Sequence, residues 1–153
     1  MSASTSGPAQ VPAVGPLVRA VTTTVEPDAH VAAAAYLMKR AHDSALVVTT
    51  EPGRPEPLEI ITDADISQAV ADGRDLDDVR INQLGLVRVD PVDVGTPVAQ
   101  AAERMLATHR QHLPVVDDGR LVGLVDMTAV CGALLATTRG DDGGGEGIRN
   151  VGG

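Results

Sequence analysis

The chain of 153 residues has a mass of 15.7 kDa, which fits one compact domain or two half-size units that share a core. Aromatic residues make up only 1% of the chain, which argues against a surface that stacks nucleic-acid bases. The net charge of −9 at pH 7 disfavours nucleic acids and anionic membranes as partners.

The two ends of the chain have compositions that are typical of disorder. Residues 1–16 carry no charge and are rich in Ser, Pro, Gly and Ala, while residues 137–153 are rich in Gly and Asp. We therefore expect a disordered arm over 1–16 and a disordered tail over 137–153. Neither segment is expected to contribute much to stability.

Three further features of the sequence predict a cytoplasmic location. Cys131 is the single cysteine, so no intramolecular disulfide can form, which suits a reducing compartment. The first residues lack the basic and apolar blocks of a signal peptide. The apolar stretch 121–136 is too short to span a bilayer and is interrupted by Asp126.

The middle of the chain repeats itself. Residues 31–38 match residues 98–105 in their valine, alanine and methionine positions, at an offset of 67 residues. With one inserted residue, 44–48 also falls on 112–116, and 59–62 falls on 123–126. A period of this length is too long for the common solenoid repeats and indicates a duplicated half-domain.

The predicted elements follow the order strand, helix, strand, strand, helix in both copies. In the first copy a helix begins at Val31, strands cover 46–48 and 58–61 around a turn at 51–57, and a second helix covers 64–71. In the second copy a helix begins at Val98, strands cover 115–116 and 121–125 around a hairpin turn at 117–120, and a second helix covers 127–136.

Neither half could bury both faces of a three-stranded sheet alone, so the halves should pack together. We predict an α/β (α+β) fold of two β-α-β-β-α repeats, 17–84 and 85–136, packed sheet against sheet with pseudo-two-fold symmetry. The acidic stretch 72–78 is interpreted as a solvated linker between the repeats.

Three segments, in this order and in two copies, resemble the tandem CBS (cystathionine β-synthase) domain pair, or Bateman module, of the stand-alone bacterial type. They are the helix starts at Val31 and Val98, the run His112-Leu-Pro-Val-Val-Asp117 with its continuation to Gly123, and Ile60-Ile-Thr-Asp-Ala-Asp65. The resemblance covers roughly residues 17–135.

The resemblance implies that Ile60, Thr62 and Asp65 belong to a nucleotide-binding site. Asp65 would accept hydrogen bonds from ribose hydroxyls, Thr62 would donate near the ribose or phosphate, and the helix N-terminus would favour a phosphate. From the residues alone, the favoured interpretation is that Thr62 is a helix N-cap and Asp65 a first-turn acid, whereas the repeat favours the binding site. Glu59 replaces the glycine that is usual at its position.

The other repeat would complete this site. In the family, the contributing segments are the start of the first strand and the residues before the Leu-Pro-Val run. Ser44 stands where some relatives carry a phosphate-binding Arg, which argues against a multiply charged ligand. The remaining predicted binding residues are Val89, Asp90, Arg110, Gln111 and His112.

The equivalent motif in the second copy departs from the family pattern. Asp126 replaces the Thr or Ser, and Ala129 replaces the Asp that would bind ribose. Because alanine cannot accept a hydrogen bond and Asp126 would repel a phosphate, we predict that this second site is degenerate.

Other residues receive structural interpretations. His109 and His112 lack a third ligand at an obvious spacing, so no metal site is predicted. Cys131 is expected to lie in the core, and Tyr36 is expected to have a packing role and not a chemical one. No catalytic set is visible and no resident cofactor is implied, so an enzyme is disfavoured.

Two functions remain open. The first is a sensor that binds an adenine-containing ligand (AMP, ADP, ATP or S-adenosylmethionine) and passes its occupancy to an unidentified regulated protein. The alternative is a ligand-free dimerisation scaffold with decayed sites. In either case we expect a homodimer. The expected contact residues are Ala33, Ala34, Leu37, Ala102, Leu106, Leu134 and Leu135.

Overall fold

A computed structural model describes residues 12–21, 23–50 and 58–141. These residues form four α-helices and two four-stranded sheets, which confirms the predicted fold class. The predicted turn at 51–57 lies outside the described residues. The strands are β1 Arg19–Ala20, β2 Thr24–Val25, β3 Ala45–Val48, β4 Leu58–Thr62, β5 Arg88–Val89, β6 Val92–Asp93, β7 His112–Asp117 and β8 Arg120–Asp126, and the helices are α1 Val31–Ala41, α2 Asp63–Ala71, α3 Val98–Thr108 and α4 Met127–Asp141.

The two repeats exchange strands. One sheet has the order β2-β3-β4-β5 and the other has the order β1-β8-β7-β6. The short β1 pairs antiparallel with β8 of the second repeat, and β5 pairs antiparallel with β4 of the first. Each sheet therefore ends in a strand that the other repeat contributes.

The two sheets face each other across a shared aliphatic core. One cluster of buried side chains joins Ala45 and Ile60 of the first sheet to Leu113 and Val125 of the second. A second cluster lies beneath α1 and includes Val31, Ala34 and Met38 at helical spacing. The core is made of aliphatic side chains and methionine, as the composition requires.

The strand register corrects the repeat alignment. Ala45 pairs with Thr62, and His112 pairs with Asp126. Ala45 and His112 are therefore equivalent, at the same offset of 67 that relates the left-handed histidines ending α1 and α3, His42 and His109. The one-residue insertion in the sequence alignment of the repeats is therefore wrong. The hydrogen-bonded strand pairing determines the register, which the similar valine pairs of the two repeats did not determine.

The N-terminal boundary also differs from the prediction. The amides of Val14 and Gly15 donate to Thr96 and Val94 at 2.9 and 3.0 Å, and Pro12 accepts from Val98 at 2.9 Å. The Val14 side chain is fully buried in the shared core. The arm prediction therefore fails for residues 12–16, whereas residues 1–11 lie outside the described part.

The C-terminal boundary and the expectations for three residues change as well. Helix α4 continues to Asp141, beyond the predicted start of the tail, and residues 142–153 lie outside the described part. Tyr36 is 61% exposed and Cys131 is exposed, because each lies on the solvent side of its helix. Ala34, predicted to form a dimer contact, is instead fully buried in the core.

Two glycines allow a tight turn and a close approach between strands near the exchanged strand β1. Asp118 and Gly119 both have positive φ, 51° and 76°, which is the geometry of a tight hairpin turn between β7 and β8. A Cβ atom on Gly123 would lie 2.1 Å from the carbonyl oxygen of Arg19. Gly123 therefore lets β1 approach β8 closely. Among the residues described, no helix is long and apolar enough to cross a membrane.

Val14→Ala should lower the free energy of unfolding by about 1–3 kcal/mol, because it removes two methyl groups from a fully buried site. Chemical denaturation measures the change. The matched control is Val87→Ala at a side chain that is 62% exposed, which should change stability by less than about 0.5 kcal/mol. Equal effects of the two variants would mean that the N-terminal segment does not contribute to the core.

Candidate functional site

A cavity of about 230 Å³ lies between the repeats, where β4 meets α2. Its walls combine this junction with Val89 of β5 and with the segment that leads into β7. Seven predicted binding residues line it: Ile60, Thr62, Asp65, Val89, Arg110, Gln111 and His112. The strand exchange is what carries Val89 to the motif of the first repeat.

The lining differs from the prediction at five positions. Asp63, Ala64 and His109 line the cavity and were missed, although each is a sequence neighbour of a predicted residue. Asp90 is exposed and is not part of the lining. Ser44 is also absent from the lining, but its hydroxyl oxygen lies 3.1 Å from Nε2 of His112.

Thr62 and Asp65 form a reciprocal cap at the start of α2. The Thr62 amide and hydroxyl both donate to Oδ2 of Asp65, at 2.8 and 2.9 Å. The Asp65 amide donates to the Thr62 hydroxyl at 3.3 Å. This capping box confirms the structural interpretation of the pair, because it satisfies amides that a helix start leaves unpaired. The Thr62 hydroxyl proton is therefore already engaged.

The first three amides of α2 all have acceptors within the protein. Asp63 donates to the carbonyl of Ser44 at 3.0 Å, Ala64 to Oδ1 of Asp63 at 2.8 Å, and Asp65 to Thr62 as described. A helix N-terminus binds phosphate through such amides when they are free. Here the expected phosphate donors are occupied, and two carboxylates already lie at the positive end of the helix dipole.

Among the described residues, Arg110 is the one basic side chain other than histidine in the lining of this cavity, and it makes no side-chain hydrogen bond or ion pair to them. Arg110 directly follows His109, whose left-handed backbone conformation ends α3 and turns the chain toward β7. The corrected register makes Asp43 the equivalent of Arg110 in the first repeat. The two inter-repeat cavities therefore differ in charge at matching positions.

The second cavity has a volume of only about 20 Å³, enough for about one water molecule. Arg19, Asp43, His112 and Asp126 contribute to its walls, and Arg19 pairs with Asp43 at 3.4 Å. Oδ1 of Asp126 accepts from the Ala129 amide at 2.7 Å, which makes Asp126 the cap of α4. Ala129 does not line the cavity. The predicted degeneracy of this site stays a prediction, and its acidic cap is consistent with it.

His112 lines both cavities, and its ring connects the repeats through Ser44. Its Nδ1 atom is buried and has no hydrogen-bond partner among the described residues. Burial lowers the pKa of His112 below its ordinary value of 6.5, although Asp126, Asp63 and Asp43 act in the opposite direction. The imidazole is therefore neutral at pH 7. Nowhere in the described part do three potential metal ligands come together.

This lowered pKa predicts how stability depends on pH. Since the unfolded chain takes up the proton at higher pH than the folded chain, the contribution of His112 is complete above about pH 6.5 and is lost as pH falls through the folded pKa. Melting temperatures measured from about pH 8 to about pH 5 should fall less steeply for His112→Gln than for the wild type. Gln can keep a hydrogen bond to Ser44.

His30→Gln is the matched control, because His30 is exposed and lies outside both cavities. It should preserve the slope of the wild type. A slope that His112→Gln leaves unchanged would show that His112 does not control this pH dependence.

The comparisons with known proteins agree with this geometry. The family model of the CBS domain matches residues 14–72 and again residues 87–136. No curated protein sequence matches the chain.

Solved structures share the fold. A CBS-domain-containing protein from Agrobacterium tumefaciens, ATU1752, is 25% identical with a TM-score of 0.67, over 80% of this chain and 98% of that one. A hexameric CBS-CP12 protein from bloom-forming cyanobacteria is 21% identical with a TM-score of 0.72, over 88% and 86% of the two chains. CBSX2, solved in complex with AMP, is 23% identical with a TM-score of 0.61, over 83% and 98%.

Proposed function

The chain belongs to the CBS domain family as a tandem pair, and from that membership we propose that it is a regulatory protein that binds an adenine-containing ligand in the cavity between its repeats. The candidate ligands are AMP, ADP, ATP and S-adenosylmethionine. The ligand would alter how the protein contacts a regulated partner. The proposal assigns no catalytic role to the chain.

The observation that carries this proposal is the position of the Asp65 carboxylate. Its Oδ2 atom accepts from Thr62, whereas Oδ1 has no partner among the described residues. A carboxylate offers about four lone-pair sites, so the capping box leaves capacity for a ribose diol. Asp65 is half-buried and lines the cavity, where such a bond would be partly protected from water.

The apolar part of the lining supports an adenine ring. Ile60 and Val89 are 2% and 7% exposed, and they come from strands that pair within one sheet. Ligand sites commonly combine such apolar walls with a few polar groups that fix orientation. The AMP bound to CBSX2, which has the same fold, supports an adenine nucleotide as the ligand class.

The alternative is a ligand-free scaffold, and the capping box favours it in one respect. Thr62 and Asp65 already satisfy each other, so helix formation alone could explain both residues. The small second cavity is also consistent with lost binding. Binding measurements separate the two functions, because a ligand that binds only the folded state must raise the melting temperature.

Asp65→Asn should weaken the binding of adenosine compounds about tenfold or more, since it replaces a charged acceptor by a neutral amide. Its side-chain oxygen can still accept from the Thr62 amide, so the helix cap survives better than in Asp65→Ala. Isothermal titration calorimetry measures the affinity, and thermal unfolding checks the fold.

Asp77→Asn is the control for Asp65→Asn, because it changes the charge equally at an exposed residue outside the cavity. It should bind like the wild type. Equal affinities for Asp65→Asn and Asp77→Asn, or no binding of adenine compounds to the wild type, would favour the scaffold.

We also propose a homodimer formed through the helices. Leu106 of α3 and Leu135 of α4 are 68% and 57% exposed, and Ala33 of α1 is exposed as well. The other expected contact residues, Leu37, Ala102 and Leu134, are half-buried. Exposed leucines on adjacent helices supply apolar area that a second copy could bury. The hexameric CBS-CP12 neighbour supports self-association in this fold, as a hexamer and not as a dimer.

Sedimentation equilibrium at micromolar concentration should yield a dimer for the wild type. Leu106→Glu should weaken the dimer about tenfold or more, because it would bury a charge in the interface. Val87→Glu, at an exposed residue outside the helices, is the control and should remain dimeric. A monomeric or hexameric wild type would contradict the proposal.

A further inference from the structure

The hydrogen-bonding groups at the start of α2 leave the cavity with acceptors in excess. The amides of Asp63, Ala64 and Asp65 are paired, and the hydroxyl proton of Thr62 is given to Asp65. Among the residues that the structure describes, what remains unpaired there is oxygen, namely Oδ1 of Asp65 and Oδ2 of Asp63. This end of the cavity therefore suits ligand groups that donate hydrogen bonds.

The charges around the cavity also favour ligand groups that donate hydrogen bonds. The lining includes two carboxylates, Asp63 and Asp65, and one guanidinium, Arg110. His112 adds no positive charge at pH 7, because burial lowers its pKa. His109 at the end of α3 completes the titratable lining among the described residues. Arg88, the neighbour of Val89 on β5, is paired with Glu59 at 3.9 Å. The whole chain, at −9, adds repulsion for anions.

We propose that this cavity selects adenine nucleosides whose 5′ substituent is uncharged or cationic and discriminates against nucleoside polyphosphates. This inference rests on the proposed function and narrows its ligand class. Ribose hydroxyls donate to Asp65, and Arg110 is a counter-charge for a single phosphate. Among the described residues, a second or third phosphate meets neither a free amide at the start of α2 nor, apart from histidine, another basic side chain in the lining. A cationic 5′ group is attracted by the carboxylate of Asp63.

The first test is a charge series at constant ionic strength. Adenosine, AMP, ADP, ATP and S-adenosylmethionine are titrated calorimetrically into the full chain, with a chelator present so that divalent metals do not neutralise the phosphates. Affinity should fall from AMP to ADP to ATP, because only the first phosphate has Arg110 as a counter-charge, and ATP should bind at least about tenfold more weakly than adenosine or S-adenosylmethionine.

The salt dependence of ligand affinity is an independent test of the charge preference. Added salt screens attraction and repulsion alike, so it should weaken the binding of the cationic nucleoside and strengthen that of ATP. Adenosine, being uncharged, should change little. Strengthening of S-adenosylmethionine binding or weakening of ATP binding with salt would contradict the proposed charge preference.

Two variants connect the preference to particular residues. Asp63→Asn removes a charge but keeps an oxygen for the Ala64 amide, and it should raise ATP affinity relative to adenosine by about threefold or more. Arg110→Gln should lower the affinity for AMP more than that for adenosine. Asp77→Asn, with the same charge change outside the cavity, should leave the ATP-to-adenosine ratio unchanged. Thermal unfolding verifies that each variant is folded.

The outcomes distinguish this inference from the proposed function. ATP binding at least as tightly as adenosine, or an unchanged ratio in Asp63→Asn, would overturn the charge preference. If Asp65→Asn still weakened binding in that case, the adenine site itself would stand. Absence of binding for all five compounds would overturn both.

Discussion

The pairing of β1 with β8 and of β5 with β4 is the constraint on which the site depends. Strands β1 and β5 have only two residues each and would have little stability alone, yet each closes the sheet of the other repeat. This exchange joins the repeats into one core, and it places Val89 beside the motif at the end of β4. Gly123 is required because β1 passes so close to β8.

The pseudo-symmetry of the fold is stronger than the chemical symmetry of its two cavities. The first helix and the strand after it match between the repeats at an offset of 67 and the last strand matches at an offset of 64, but Arg110 in one cavity corresponds to Asp43 in the other. Thr62 at the end of β4 corresponds to Asp126 at the end of β8. Duplication thus kept the aliphatic positions that build the shared core, while the polar positions at the junction diverged.

Capping and ligand binding make competing demands on the same atoms at α2. A helix start needs acceptors for its first amides, and Thr62, Asp63 and Asp65 supply them. The more completely these residues satisfy the helix, the fewer donors remain for a phosphate. His112, between the cavities and bonded to Ser44, adds a group whose neutral state depends on burial.

The sequence by itself determined the two repeats, the succession of their helices and central strands, and the aliphatic core, because periodicity and local motifs carry that information. Most of the residues around the larger cavity followed from the resemblance to the CBS family. Only the tertiary structure decided the repeat register, the burial of Val14, and the exclusion of Ser44 and Asp90 from the lining. It also decided that the α2 amides are occupied. These features depend on pairing between residues far apart in the chain, and local composition does not specify such partners.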